Sequence, residues 1–184
     1  MSDFYAQFTN FLFGFGALRK LIFKANKDGA LIEGAVAYAA LVDGLLRIGL
    51  ILKRQLINKN DDIDLALISQ TSHKQYIPER AVFKLALDEN VIEQVLFTEI
   101  TELYDKRNEI VHRFLLTPQT YDQIPPTLDR YEVLFKKLEA VVWSLEEAQI
   151  KSGVGMTGAS HESHEQKRQT LEDIMRKIIQ DKAN

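Results

Sequence analysis

The segment "LIEGAVAYAALVDGLLRIGLILKRQL", residues 31–56, constrains this chain more than any other. Its middle is apolar or small on nearly every side, so as a helix it has no polar face to turn to water and must be wrapped by other elements. Lys53 and Arg54 at its end suit the negative pole of a helix dipole. Gly34, Gly44 and Gly49, with five alanines from Ala30 to Ala40, permit close helix approach at some cost in helix propensity. A central helix with others packed around it follows, and the remaining long apolar segments also carry the helical period. No run of alternating β-branched residues is bounded by hairpin turns. The expected fold class is all-α.

Around that helix the chain divides unevenly. At 184 residues it is long enough for one ordinary domain and an appendage. "FYAQFTNFLFGFGAL" is its longest uncharged stretch. That is shorter than the roughly 20 residues of a membrane helix and lacks a basic leader, so it reads as a buried N-terminal helix with no membrane role. "NDDIDLAL" resembles a capped turn opening a short helix, with Asp61 or Asp62 as the cap. Glycine and the distal glutamate of a calcium loop are missing there. Long helices are expected from 91 to 116 and from 127 to 149. Leu128, Tyr131, Leu134, Leu138, Val141 or Val142, and Leu145 form the second one's stripe. Residues 1–150 therefore make the bundle. Residues 151–165, "KSGVGMTGASHESHE", read as a flexible linker. Residues 166–184 read as a tethered amphipathic helix with Leu171, Ile174, Met175, Ile178 and Ile179 on one side.

Function classes narrow by what is missing. There is no cysteine, hence no disulfide framework, thiolate metal site or thiol nucleophile, which fits a reducing, cytoplasmic setting. His161 and His164 lie three apart in the linker without a fixed third ligand, so no metal site is expected. "GFGALRK" has two of the three glycines of a dinucleotide loop but no preceding strand. No P-loop, zinc-binding HExxH or serine-nucleophile motif occurs, and no cofactor is called for. Net charge is −3 overall, yet residues 1–60 carry eight Lys/Arg against four Asp/Glu. A basic patch of that size can steer a phosphate-bearing ligand, and equally can be a solvated face.

One segment breaks its own pattern. The stripe of the helix at 91–116 runs Ile92, Leu96, Ile100, Leu103, then Val111 and Phe114, and its missing member is Arg107 within "YDKRNEIVHRF". A guanidinium on a packing face must be paired or face a cavity. Asn108 and His112, four apart, share the neighbouring face, and Tyr104 lies one turn earlier. In the structural reading Arg107 pairs with a buried carboxylate, Asp43 or Glu33, and His112 is a half-exposed histidine. In the functional reading these side chains form a site.

Arg107-Asn108, three residues and then His112 resemble the Arg-x(4–6)-His motif of the HEPN superfamily, the higher-eukaryote and prokaryote nucleotide-binding domains. A polar residue, often Asn, follows the arginine there. The resemblance covers about residues 1–150 and implies a helical bundle that dimerises by apposing two motif helices. It also implies metal-independent endoribonuclease activity on RNA, of the kind found in toxins and antiviral effectors, with an antitoxin protein as a candidate partner. Arg107 would clamp phosphate, His112 act as acid or base, Asn108 orient either, and Asp43 position Arg107, with Tyr104 in support. The rival expectation is a catalytically silent member that keeps the bundle as a nucleotide-binding, regulatory or scaffolding module. Some members carry a tyrosine two residues past the histidine, which a partner nucleotidyltransferase modifies. Phe114 stands there, so that modification has no hydroxyl to act on.

Overall fold

The computed structural model describes residues 3–69 and 77–158, with side chains from residue 7 onward. Among these the chain is helical, with no strand. The helices are α1 (Asp3–Asp28), α2 (Leu31–Asn58), α3 (Leu65–Ile68), α4 (Glu79–Asp88), α5 (Gln94–His112), α6 (Pro125–Ser152) and α7 (Gly155–Gly158). Short 3₁₀ turns at Phe114–Leu116 and Tyr121–Gln123 join α5 to α6.

As its composition requires, α2 is the centre, touching each of the other six helices. Leu41, Leu46, Leu50, Ile51 and Leu52 are all but completely buried. Each such side chain contributes roughly 1.5–3 kcal/mol by leaving water. In length and composition α2 would also suit a membrane span, but 83% of its apolar window is covered inside the bundle. Gly49 is where the wrapping is tightest, since a Cβ there would lie 2.8 Å from Val91 Cγ1.

Helix α6 runs parallel to α2. Leu128 packs on Gly34, Tyr131 stacks on Tyr38 at 6.1 Å, and Gln149 bonds Gln55 near the far end. Helix α1 runs antiparallel to α2, placing Phe15 on Gly44 and Ala25 beside Gly34. It buries only one side, and Phe13 and Phe23 on the other are exposed, so the expected buried N-terminal helix is half-buried. Helix α5 lies antiparallel to α6, tied by Lys137–Glu99, Arg130–Glu102 and the Tyr131 hydroxyl donating to the Leu103 carbonyl at 2.8 Å.

Several boundaries differ from the sequence reading. Asp64, rather than Asp61 or Asp62, caps α3, its carboxylate accepting from the Ala66 amide at 3.0 Å. Helix α5 ends at His112 because Arg113 leaves helical geometry (φ −126, ψ 10) and the next residues tighten into a 3₁₀ turn. The expected linker begins as packed structure instead. Gln149, fully buried on α6, donates to the Gln55 side chain at 2.9 Å and the Leu52 carbonyl at 3.1 Å, and accepts from the Thr157 amide and hydroxyl. Gln55 in turn donates to the Asp61 and Asp62 carbonyls and accepts from the Met156 amide. Residues 153–158 thus fold back onto the ends of α2 and α6. The remainder of the expected linker and the helix at 166–184 lie outside the described residues.

Candidate functional site around Arg107

Helix α5 delivers the motif. Ile100, Leu103 and Ile110 face the core. Arg107, between them, keeps 17% of its side chain exposed, so it sits at the edge of the packing face. Its Nη1 donates to the Asn108 Oδ1 at 2.9 Å. Its Nη2 lies 4.0 Å from Glu79 Oε1, the limit of an ion pair. The guanidinium also rests over the Tyr104 ring, 5.7 Å from its centroid. Its Nε is buried and has no hydrogen-bond partner among the described residues.

Tyr104 lies at the centre of this group. Its ring meets Phe83 edge-on at 5.4 Å, and the guanidinium of Arg80 lies 5.1 Å from its centroid. Burial, and then the neighbouring Glu79 carboxylate, push its phenol above the usual tyrosine range. Tyr131, below it on α6, is pushed up in the same direction, chiefly by burial. Tyr104 therefore stays a neutral hydroxyl near pH 7, able to donate to Glu79 and to support Arg107 through its ring.

Asp43 does not position Arg107 in this structure. Its Oδ2 accepts from Arg47 Nε at 2.6 Å, one turn along α2, while Arg47 donates onward to the carbonyls of Leu67 and Ile77. Arg47 is almost fully buried with each guanidinium nitrogen bonded, a structural ion that holds α3 and the residue leading into α4 against α2. Asp43 Oδ1 is buried without a partner among the described residues, and burial foremost raises the carboxyl above the usual aspartate range despite Arg47. Glu33, the other carboxylate expected to pair with Arg107, is exposed on α2. The acid facing Arg107 is Glu79, at the first position of α4. No periodic pattern marks it, because only the packing of α4 on α5 brings it there. Asp43, Arg47 and Glu79, with Phe11, Leu67, Ile68 and Ser69, line a cavity of about 440 Å³.

His112 is the last residue of α5 and is exposed. The Asn108 amide is turned to Arg107, so within one chain Arg107, Asn108 and Tyr104 form a contiguous group and the imidazole stands outside it, past one further helical turn. Just beyond it Leu115 and Leu116 are 94% and 84% exposed. Among the described residues no group of three His, Cys, Asp or Glu side chains could hold a metal ion. Chemically, the arrangement offers a guanidinium with an unused Nε–H beside a neutral phenol and an amide, and a separate imidazole open to a ligand or a second chain. Comparisons with protein-family models, curated proteins and solved structures return no match.

Proposed function

We propose that the chain is a HEPN-like, metal-independent endoribonuclease that works as a homodimer. The observation that carries this reading is the unused Nε of Arg107, a buried donor on a half-buried guanidinium held only loosely by Glu79. The exposed part of that guanidinium can take a phosphate oxygen in a charge-assisted hydrogen bond, and a small shift of the side chain would let Nε, whose missing bond costs about 1–3 kcal/mol, join it. Cleavage without a metal requires activating the 2′-hydroxyl, stabilising the phosphorane and protonating the leaving oxygen. One imidazole cannot be base and acid at once. His112 stands exposed beside two uncovered leucines, where a second copy would cover Leu115 and Leu116 and bring a second imidazole. Arg107 then stabilises developing charge, an effect worth a few kcal/mol.

The second reading is a catalytically silent HEPN-like module. In its favour, cations around the motif already have carboxylate partners: Arg107 with Glu79, Arg80 with Asp105, Lys106 with Glu109. The two readings part in one experiment. Purified protein with excess chelator should cleave single-stranded RNA to cyclic phosphate ends, and Arg107→Ala and His112→Ala should each abolish cleavage while remaining folded. Expression of the wild type should slow growth, as a toxin or antiviral effector would, and either variant should relieve it. A wild type inert towards RNA and harmless to cells, like both variants, supports the silent module.

A further inference from the structure

Three of the motif's cations are paired with carboxylates, whereas the described structure has a basic strip on α1 whose lysines, even with Asp28 at its end, form no close ion pair. Lys20, Phe23, Lys24 and Lys27 follow one another at i, i+3, i+4 and i+7, so they form one stripe on α1. Phe23 is 75% exposed. None of the three lysines has a carboxylate within ion-pair distance among the described residues, in contrast to Arg107, Arg80 and Lys106. The strip lies at the motif's end of the bundle. Asn26, beside it on α1, lies near the Tyr38 phenol, Tyr38 stacks on Tyr131, and Tyr131 donates to Leu103 on α5. At the same end Tyr121, nine residues past His112, donates to the Gly29 carbonyl at 2.6 Å and accepts from the Leu31 amide at 2.9 Å. The turn between α1 and α2 is thereby pinned to the chain leaving the motif helix.

Building on the ribonuclease reading, we propose that this strip of α1 is an accessory binding surface for single-stranded RNA, with Lys20, Lys24 and Lys27 taking phosphates and Phe23 stacking a base. The chemistry is that of a sequence-tolerant single-strand site, an exposed aromatic between cations that track a backbone. It divides the labour in a way the charges require. A motif in which Arg107, Arg80 and Lys106 are matched by carboxylates, with Arg113 left over, exerts little long-range attraction, whereas three further unpaired lysines capture the strand and leave the motif to act on it. From Lys20 to Lys27 the strip runs about 10 Å along the helix, enough for a few nucleotides.

The test uses the full chain carrying His112→Ala, which leaves the strip intact, and a 20-nucleotide oligouridine as probe. Binding should weaken with salt. Adding Lys20→Gln, Lys24→Gln and Lys27→Gln together should flatten the slope of log affinity against log salt by about 2, near 0.7 for each lost phosphate contact. Adding Phe23→Ala should weaken binding roughly tenfold. In the wild-type background the same lysine changes should raise KM for RNA cleavage and leave kcat unchanged. If the enzyme cleaves RNA and the lysine variant matches it in KM and salt slope, the accessory surface is refuted and the ribonuclease reading stands. If the chain binds oligouridine through these lysines without cleaving any RNA, the ribonuclease reading falls and the surface is upheld. Binding to phosphatidylserine-containing vesicles with none to oligouridine would overturn the proposal in favour of a membrane-facing strip.

Discussion

Arg107 on α5 and Gln149 on α6 are both polar residues standing in hydrophobic stripes, and the structure treats them in opposite ways. Gln149 occupies the place after Leu145 on its stripe and is completely buried. Its amide nitrogen donates twice and its carbonyl oxygen accepts from Thr157. Arg107 is only partly covered, has one hydrogen bond to its neighbour Asn108, and leaves Nε unused. A fully satisfied buried network fixes a single arrangement of the elements it joins. A partly satisfied one costs stability until a further partner completes it. The contrast marks Gln149 as architecture, and it is what the proposed reading expects of Arg107 as a group left for a ligand.

The comparison is broken most easily at its satisfied end. Gln149→Leu should cost about 3 kcal/mol in urea unfolding, because it removes the buried bonds of this side chain to the Leu52 carbonyl, the Gln55 side chain and Thr157. Gly155→Ala should be comparably damaging. Its φ is +75, and a Cβ there would lie 2.3 Å from Gln149 Cδ. A loss under about 1 kcal/mol in both would remove the distinction between the two regions.

Asp43 tests the middle ground, a buried pair with one oxygen unsatisfied. Its carboxyl is raised in the folded state, so the folded form holds its proton more tightly than the unfolded chain. The stability this contributes is present in full below the ordinary aspartate range and is lost as pH rises through the elevated folded value. Asp43→Asn should flatten that part of the stability–pH curve while keeping an oxygen for Arg47. An unchanged curve would mean that Asp43 does not titrate abnormally.

The smallest effect is expected at Arg107→Met. A side chain of similar reach without charge removes the unused donor, and replacing such ions with apolar groups is often neutral or stabilising. Thermal unfolding within about 1 kcal/mol of wild type, on either side, is the expected result.

Much of this was legible in the sequence. The unbroken apolar run of α2 dictated a central helix, and stripe counting located the odd member at Arg107. The same counting reaches Gln149, four past Leu145, but the following "KSGVGMTG" has the composition of a linker, and its packing depends on positive-φ glycines and on Gln149 itself. Asp43 stood out as an acid in an apolar helix. Its partner was four residues on in Arg47, an i, i+4 pair that the sequence displays. Glu79 could not be read, because its approach to Arg107 exists only once α4 packs on α5. The end of α5 was read four residues late, since nothing in "RFLL" forbids helix and the nearest breaker is Pro118.

Whether Arg107 is held in reserve for a ligand is read from the unfolding free energy of Arg107→Ala. A loosely held guanidinium predicts a loss of no more than about 1.5 kcal/mol, with a cooperative transition and a native circular dichroism spectrum. A loss of about 3–5 kcal/mol, the cost of breaking a buried ion pair, would make Arg107 a structural ion and contradict the account.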